Sequence, residues 1–468
     1  MMQKKNILSS YWYGITDTVY GERYSTIFRY FVPEFITNLM FYTLPLWMDA
    51  FFISHLASTS TYATLGVTNG VLHLMIKMAE AFSIGTVVLS GQFNGSQAYK
   101  KVGQTMQCAF WLTCITGVMF ASLLYFGAPF IYEWYGVAPD IISQGVPYLR
   151  LRSLGVLFMF TCLAFIGFLK GIKNTRSPMK IFMFGAVVFI VSDYLFIFGA
   201  GFIPAMGLQG SALATVLQYA CMLIVACGYV LSSRKNRLYG IDLLSAVRDF
   251  SHIKQLLEIS WPVMLDKMTF ALAYIWLGKM IAPMGTTCVA AYCAVRDIER
   301  FAFLPAIACA QIITFLVSND YGAGRWDHIK TNIKKVIFVA SAAVVVILIG
   351  IMYWSSNILA AFDKKGEFGS VVIYVLPLLS VLVFFDLLQL ILSGALRGIG
   401  NGRKVLMVRL IVFSCYFVPL SYVLSHLPLA DASMKFMLVY GSFYMGNALM
   451  SAIYVNQFRK NEWKTSLM

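Results

Sequence analysis

The stretch GFLKGIKNTR at residues 167–176 returns, slightly altered, as GALRGIGNGR at residues 394–403, 227 positions later in a chain of 468. The match extends upstream, because SGQFNGSQAYKK, which begins at Ser90, returns as SNDYGAGRWDHIK, which begins at Ser318, displaced by 228. A nearly constant offset over separate stretches indicates that the chain consists of two halves with the same internal order.

The composition is typical of a membrane protein. Hydrophobic residues form 59% of the chain and charged residues only 12%, with a mean hydropathy of +0.73. A soluble domain carries about 25% charged residues, so this chain lacks the charge to cover a water-facing surface. Long apolar runs such as WLTCITGVMFASLLYFGAPFI approach the roughly 20 residues that a helix needs to cross a bilayer. We therefore expect an all-α polytopic membrane protein that is embedded in a lipid bilayer.

The apolar runs predict twelve transmembrane helices in two six-helix lobes related by pseudo-symmetry. Their expected ranges are 30–53, 62–90, 106–127, 148–169, 179–199, 206–232, 256–282, 288–317, 336–358, 370–396, 406–425 and 433–457. Because twelve is even, both termini lie on one side of the membrane. Because six is even, the two lobes have the same orientation.

The basic residues indicate which side that is. If the termini are cytoplasmic, most of the 36 Lys and Arg fall in inner segments, and the outer loops hold Lys364, Lys365 and Lys435. Positive charge stays inside during insertion, so we predict cytoplasmic termini in a cell membrane, the inner membrane of a bacterium. The net charge of +15 then follows from topology. Nucleic-acid binding would need a basic soluble face, and none is expected.

The expected organisation follows from these spans. It consists of a cytoplasmic N-terminal segment 1–26, an N-lobe 27–232, a cytoplasmic linker 233–255, a C-lobe 256–457 and a cytoplasmic tail 458–468. Pro33 near the start of the first helix is echoed by Pro262 in the seventh, as the duplication requires. Parallel repeats of this kind build secondary transporters that rock around a central site, so we expect a transporter.

Several stretches together resemble the multidrug and toxic compound extrusion (MATE) transporters over nearly the whole chain. They are MDAFFISHLASTSTYATLGVTNG (48–70), the loop SGQFNGSQAYKK, the doubled LKGIKNTR and LRGIGNGR, and SDYLFIFGAGFIPAMGLQGSALAT (192–215). The resemblance implies a V-shaped fold of two lobes. It also implies export of small organic compounds, cationic or amphoteric, in exchange for H+ or Na+, without a further cofactor. We expect a monomer that is not an enzyme.

Acids inside the apolar runs are candidates for ion coupling, since a charge at mid-bilayer costs at least about 2.5 kcal/mol. Asp49 lies four residues after Pro45, whose ring weakens the local helix and makes it a candidate hinge. The resemblance places Asp49, Asp193 and Thr215 on the ion or proton site of DinF-type members. The Asn usual in that site is Phe189 here, which weakens the case for Na+.

The second half offers a competing site. Asp386, in DLLQLILSGALRG, matches the C-lobe acid of NorM-type members. The Glu that partners it in those members is Phe270 here, and Asp266, one helical turn earlier, could replace that Glu. A structural role remains open for each of these acids, and the sequence does not decide which lobe couples.

Further charged residues are candidates for a mixed-charge substrate cavity. They lie within two expected helices: Lys77 and Glu80 in the second, and Arg296, Asp297, Glu299 and Arg300 in the eighth. Their spacing also fits local pairs that neutralise each other.

Other functions remain to be weighed. A lipid-linked oligosaccharide flippase of the related superfamily is the first alternative, because of the intramembrane bases. An intramembrane enzyme would need a metal or nucleophile motif, and His73 is the one histidine in an expected span. An ATP-driven pump would need GxxxxGK[ST] within the chain, and the sequence has none. A channel fits the two-lobe repeat poorly.

Overall fold

The computed structural model describes residues 7–55, 59–199, 201, 204–243, 250–355, 357, 368–429 and 431–460, which are helical throughout apart from short connections. The α-helices are α1 (Ile7–Thr16), α2 (Tyr24–Asn38), α3 (Leu44–Ser54), α4 (Thr59–Gly95), α5 (Tyr99–Trp134), α6 (Pro139–Gly171), α7 (Arg176–Phe198), α8 (Leu208–Ser232), α9 (Phe250–Ile281), α10 (Thr286–Ala302), α11 (Leu304–Gly322), α12 (Trp326–Tyr353), α13 (Gly369–Gly398), α14 (Gly402–Val412), α15 (Val418–His426) and α16 (Ala432–Lys460). Lys364 and Lys365, expected in an outer loop, lie outside the described residues.

Every expected span coincides with helix, but three are interrupted. The first is α2 and α3 joined by the π-helix Leu39–Thr43, and the eleventh is α14 and α15 joined by the π-helix Phe413–Phe417. The expectation of one helix over 288–317 is wrong: α10 and α11 meet at a bend of 47°. Pro305 lies in the first turn of α11, where its missing N–H breaks the ladder of hydrogen bonds.

Length and composition identify ten helices of the described residues as able to cross a membrane, or eleven if the bent pair α10–α11 is one span. The remaining expected span is α9, which has the length, 32 residues, but not the hydropathy. Its charged residues, among them Asp266 and Lys267, lower the mean. All twelve expected spans therefore exist as helices, and the seventh is the most polar.

The chain forms two compact units, which we call the N unit (Ile36–Met264) and the C unit (Met1–Phe35 with Leu265–Met468). Within the N unit, α6 packs against α4, α5 and α8, and α7 packs against α8 and α3. Within the C unit, α13 packs against α11, α12 and α16, and α1 packs against α12. The lobe boundaries expected from the sequence stay a prediction.

The repeated stretches owe part of their likeness to close helix packing. A Cβ on Gly167 of α6 would lie 2.6 Å from the backbone oxygen of Ser83 in α4. A Cβ on Gly394 of α13 would lie 2.7 Å from that of Ala310 in α11. The same crowding holds for the glycines one turn later, Gly171 and Gly398. Each repeat therefore carries a small-xxx-small face on which two helix backbones touch.

The repeats also share the way in which their helices end. In each, an N–H beyond the helix donates to the carbonyl five residues earlier, as in a Schellman turn. The four pairs are Asn174 to Leu169, Asn401 to Leu396, Ala98 to Phe93 and Arg325 to Asp320, at 2.8–2.9 Å. The turn needs a positive φ, which Gly400 and Gly324 provide in the second half and Lys173 and Gln97 in the first.

Candidate functional site

The interrupted first span supplies the first acid of the N unit. The π-helix Leu39–Thr43 precedes α3, and Pro45 lies in the first turn of that helix. A π segment leaves one residue out of the regular ladder and is frequent at functional sites. Asp49 follows one turn after Pro45 and is buried, with 2% of its surface exposed. The expected hinge is therefore next to a buried carboxyl group.

Asp49 is held by side chains from two other helices. The hydroxyl of Ser211 in α8 donates to Asp49 Oδ1 at 2.6 Å. Nη1 of Arg152 in α6 lies 3.6 Å from Asp49 Oδ2. The same Nη1 donates to the hydroxyl of Thr215, one turn after Ser211. One guanidinium thus joins two of the residues that the resemblance assigned to ion binding.

Asp193 of α7 completes this cluster. It is fully buried, and within the described part of the chain neither of its carboxylate oxygens has a hydrogen-bond partner. It interacts electrostatically with Asp49 and Arg152. Phe189, one turn earlier, is also fully buried and offers no polar group. The structure therefore brings Asp49, Asp193 and Thr215 together, with Arg152 between the acids and the hydroxyl.

The C unit holds a second cluster with a different balance. Asp266 of α9 accepts hydrogen bonds from Arg397 of α13 and from Arg409 of α14, and all three are buried. Asp386 of α13 is buried too and interacts electrostatically with Arg409. The structure places both predicted C-lobe acids beside arginines. The geometry around Asp266 is that of a fixed ion pair.

Lys77 and Glu80 of α4 form a local pair, with Lys77 Nζ 3.2 Å from Glu80 Oε1. The hydroxyl of Tyr42, within the π-helix of the first span, also donates to Glu80. Lys77 Nζ lies 4.6 Å from the centre of the Tyr42 ring. This pair is therefore tied to the break in the first span.

The candidates in α10 separate into two environments. Glu299 accepts hydrogen bonds from the hydroxyls of Tyr440 and Tyr444 in α16. The guanidinium of Arg296 lies 5.6 Å from the centre of the Tyr292 ring. By contrast, Asp297 and Arg300 form a pair at 3.7 Å and are both more than a third exposed, which adds little energy.

The sequence reasoning missed three arginines, Arg152, Arg397 and Arg409. Each falls near the end of an expected span, where a long basic side chain can reach the membrane surface. The helices extend further than expected, since α6 begins at Pro139, and Arg152 is therefore deep within it. The sequence does contain a signal for this earlier start of α6, because Pro139 and Asp140 are typical of the first turn of a helix.

Comparison of sequences supports the family assignment. A family model described as MatE matches residues 33–195 and 262–423, one stretch in each half of the chain. A protein named "Probable multidrug resistance protein NorM", from Thermotoga maritima, is 23% identical over 379 residues, 80% of this chain and 80% of its own. "Probable multidrug resistance protein YoeA" from Bacillus subtilis is 22% identical over 362 residues, 75% of this chain and 76% of its own.

Solved structures share the fold. A multidrug resistance MATE family transporter of the MOP superfamily, in its outward-facing conformation, superposes with a TM-score of 0.84 at 20% identity, covering 93% of this chain and 95% of that one. A MOP superfamily transporter from Pyrococcus furiosus, described as having a binding pocket of reverse polarity, also has a TM-score of 0.84 at 20% identity, covering 94% and 96%.

Proposed function

The chain belongs to the MatE family and is a multidrug efflux transporter, and we propose that it exchanges small organic compounds for H+ or Na+ by alternating access. The family match over both halves and the names of the relatives support the transporter class. They do not favour the flippase alternative. We further propose a monomer that needs no cofactor, performs no catalysis and binds no nucleic acid.

The observation that supports coupling in the N unit is an excess carboxylate. Asp49 and Asp193 share one buried base, Arg152, so the ionised cluster carries one net negative charge. A buried charge without a partner is costly, and a bound cation removes that cost. Uptake and release of one cation at Asp193 would therefore change the energy of the site in the way that ion-driven exchange requires.

The break in the first span supplies an element that cation binding can bias. Asp49 lies in α3, directly after the π-helix Leu39–Thr43 and Pro45. A change of charge at Asp193 alters the electrostatic potential at the Asp49–Arg152 pair. An ion can shift a conformational equilibrium only through such a difference between two states. We therefore propose Pro45 and the π-helix as the hinge of the transport cycle.

Ligand binding by the remaining charged side chains is also a proposal. Glu80 and Glu299 are each held by tyrosine hydroxyls, which leaves an acid and an aromatic ring side by side for cationic or amphoteric compounds. Lys77 beside Glu80 favours ligands that also carry an acid. If Lys77→Ala changed uptake of cations and zwitterions equally, this ligand class would be wrong.

The orientation is proposed on the distribution of basic residues. With cytoplasmic termini in an inner membrane, a cysteine at exposed Thr286 reacts with an impermeant reagent from outside, and one at Asn174 does not. Labelling of Asn174 in intact cells would reverse the orientation. Ser58, an alternative outer label site, lies outside the described residues.

Coupling is tested with purified protein in liposomes, using ethidium as the organic cation. We expect an imposed pH or Na+ gradient to drive uphill movement by the wild type, and Asp193→Asn to abolish it. The variant keeps the size of the side chain and removes only its charge, so we expect downhill exchange of ethidium to continue. Uphill transport by Asp193→Asn at the wild-type rate would disprove coupling in the N unit.

A further inference from the structure

Arg152 of α6 lies at the centre of the acid cluster of the N unit. Its side chain is 11% exposed. Among the described helices that are able to cross a membrane, α6 is the most buried, with 83% of its most apolar stretch inside the protein. The guanidinium contacts Asp49 and donates to Thr215. It also lies 5.7 Å from the centre of the Tyr148 ring. A permanent positive charge therefore occupies the middle of the acid cluster.

We propose that Arg152 is the residue that determines ion specificity, acting as a tethered cation that excludes Na+ and leaves H+ as the coupling ion. This inference rests on the proposed coupling in the N unit and narrows it. A guanidinium stays protonated in proteins, so its charge is present in every state of the cycle. It thus occupies permanently the place that a metal cation would take beside Asp49.

The first reason is the supply of ligands. A hard metal cation needs about six oxygen ligands in close geometry. Arg152 engages Asp49 Oδ2 and the Thr215 hydroxyl, and Ser211 donates its hydrogen to Asp49 Oδ1. Phe189 is apolar where a further ligand was expected. The oxygens of Asp193 and the buried hydroxyl of Tyr148 have no hydrogen-bond partner among the described residues. These are too few for Na+ but sufficient for one proton.

The second reason is charge. The ionisable groups that interact with Asp193 are Asp49 from α3 and Arg152 and Tyr148 from α6. Tyr219 from α8 interacts with Arg152 and Asp49. With Tyr148 and Tyr219 neutral, two carboxylates and one guanidinium leave one negative charge. A proton on Asp193 cancels that charge and adds no new centre of repulsion. A sodium ion there would lie close to the guanidinium in a medium of low dielectric, where like charges repel strongly.

Binding of sodium ions to the purified full-length transporter, measured with radioactive sodium, tests this inference independently of transport. We expect the wild type to bind no sodium saturably. Arg152→Gln frees Asp49 and Thr215, and we expect it to gain the saturable sodium binding that the wild type lacks. Arg152→Lys retains the charge, and we expect it to reject sodium like the wild type.

Arg150→Gln is the matched control. Arg150 is on the same helix, two residues earlier, but its Nε donates to the backbone oxygen of Tyr125 at 3.2 Å and not to the cluster. We expect this variant to bind no sodium. A wild type that binds sodium saturably overturns the inference, as does a folded Arg152→Gln that gains none. If Arg152→Gln does not fold, Arg152→Ala, which also removes the charge, is measured in its place with the same expectation.

The result of the sodium measurements can be distinguished from the result that tests coupling in the N unit. Saturable sodium binding by the wild type that is lost in Asp193→Asn would retain coupling in the N unit and reject the role of Arg152. Uphill ethidium transport by Asp193→Asn would reject coupling in the N unit, whatever the sodium measurements give.

Discussion

In the N unit two buried carboxylates share one guanidinium, whereas in the C unit two buried carboxylates share two. Within the part of the chain that the structure describes, Asp49 and Asp193 have Arg152 alone. Asp266 accepts from both Arg397 and Arg409, and Asp386 lies within the field of Arg409. The first cluster therefore has an excess acid. In the second, the two carboxylates and the two guanidiniums balance, and Glu299, which interacts with Asp386, has Arg296 nearby.

This difference separates two roles that look alike in a sequence. A buried ion pair that is fully matched gains nothing from a further cation, and its members are expensive to separate. A cluster with one excess acid gains when a cation arrives and loses when it leaves. The number of acids alone would make the two units equal candidates for ion coupling. The number of buried bases beside those acids distinguishes the two units.

The largest effect on transport is expected when Asp49 and Asp193 no longer share Arg152. Asp49→Asn removes the partner of Arg152, so the guanidinium is free to pair with Asp193 and hold it ionised. We expect gradient-driven ethidium transport to disappear. The double variant Asp49→Asn with Arg152→Gln leaves Asp193 as the only buried charge of the cluster, and we expect transport to return in part. A double variant as inactive as the single one would show that Asp49 itself takes the ion.

A large effect on stability is expected in the C unit. Arg409→Gln leaves Asp266 with one arginine and removes the base near Asp386. Loss of one partner from a buried ion pair costs about 3–5 kcal/mol, so the melting temperature in detergent should fall. Adding Asp386→Asn to Arg409→Gln removes the carboxylate that was left without a base, so part of the lost melting temperature should be recovered. An unchanged melting temperature for Arg409→Gln would mean that the pair is not structural. Arg300→Gln, in an exposed pair, is the control.

The smallest effect is expected at the N-terminal turn of the C unit, outside the spans. The N–H groups of Tyr20 and Val19 donate to Asp17, and these bonds lower the pKa of that carboxyl below its ordinary value. The folded pKa is depressed, so the contribution of the charged group is present above the ordinary pKa and is lost as the pH falls through the lower one. We expect the protection of the Val19 and Tyr20 amides, taken relative to the intrinsic exchange rate at each pH, to fall in acid.

Asp17→Ala is the matched test of that turn. It should exchange faster at neutral pH and show no such acid step. If the wild type and Asp17→Ala respond to acid in the same way, Asp17 does not control the segment.

Most of the fold could be predicted from the sequence, because a spanning helix needs a long apolar run. The interruptions could not be placed by that rule, since a π segment adds a single residue to a helix and leaves hydropathy unchanged. Pro45 and Pro419 each follow a π segment within two residues, so proline marked the neighbourhood of two breaks. Pro305 likewise marked the bend between α10 and α11.

The site was predictable only in part. Asp49, Asp193 and Thr215 come from three helices, and no spacing along the chain reveals that they meet; the resemblance to a family supplied that grouping. Arg152 was missed because its distance from the helix end was underestimated. The pairing of Asp266 with Arg397 depends on how α9 packs against α13, which hydropathy does not encode.

The central claim is that the excess carboxylate of the N unit, Asp193, takes and releases the coupling proton. Proton release on ethidium binding, measured with a pH-sensitive dye in weakly buffered detergent solution, tests it directly. Since the acids of one cluster titrate as a unit, we predict about one proton per molecule for the wild type and for Asp386→Asn, and none for Asp193→Asn. Release that persists in Asp193→Asn and vanishes in Asp386→Asn would contradict the account.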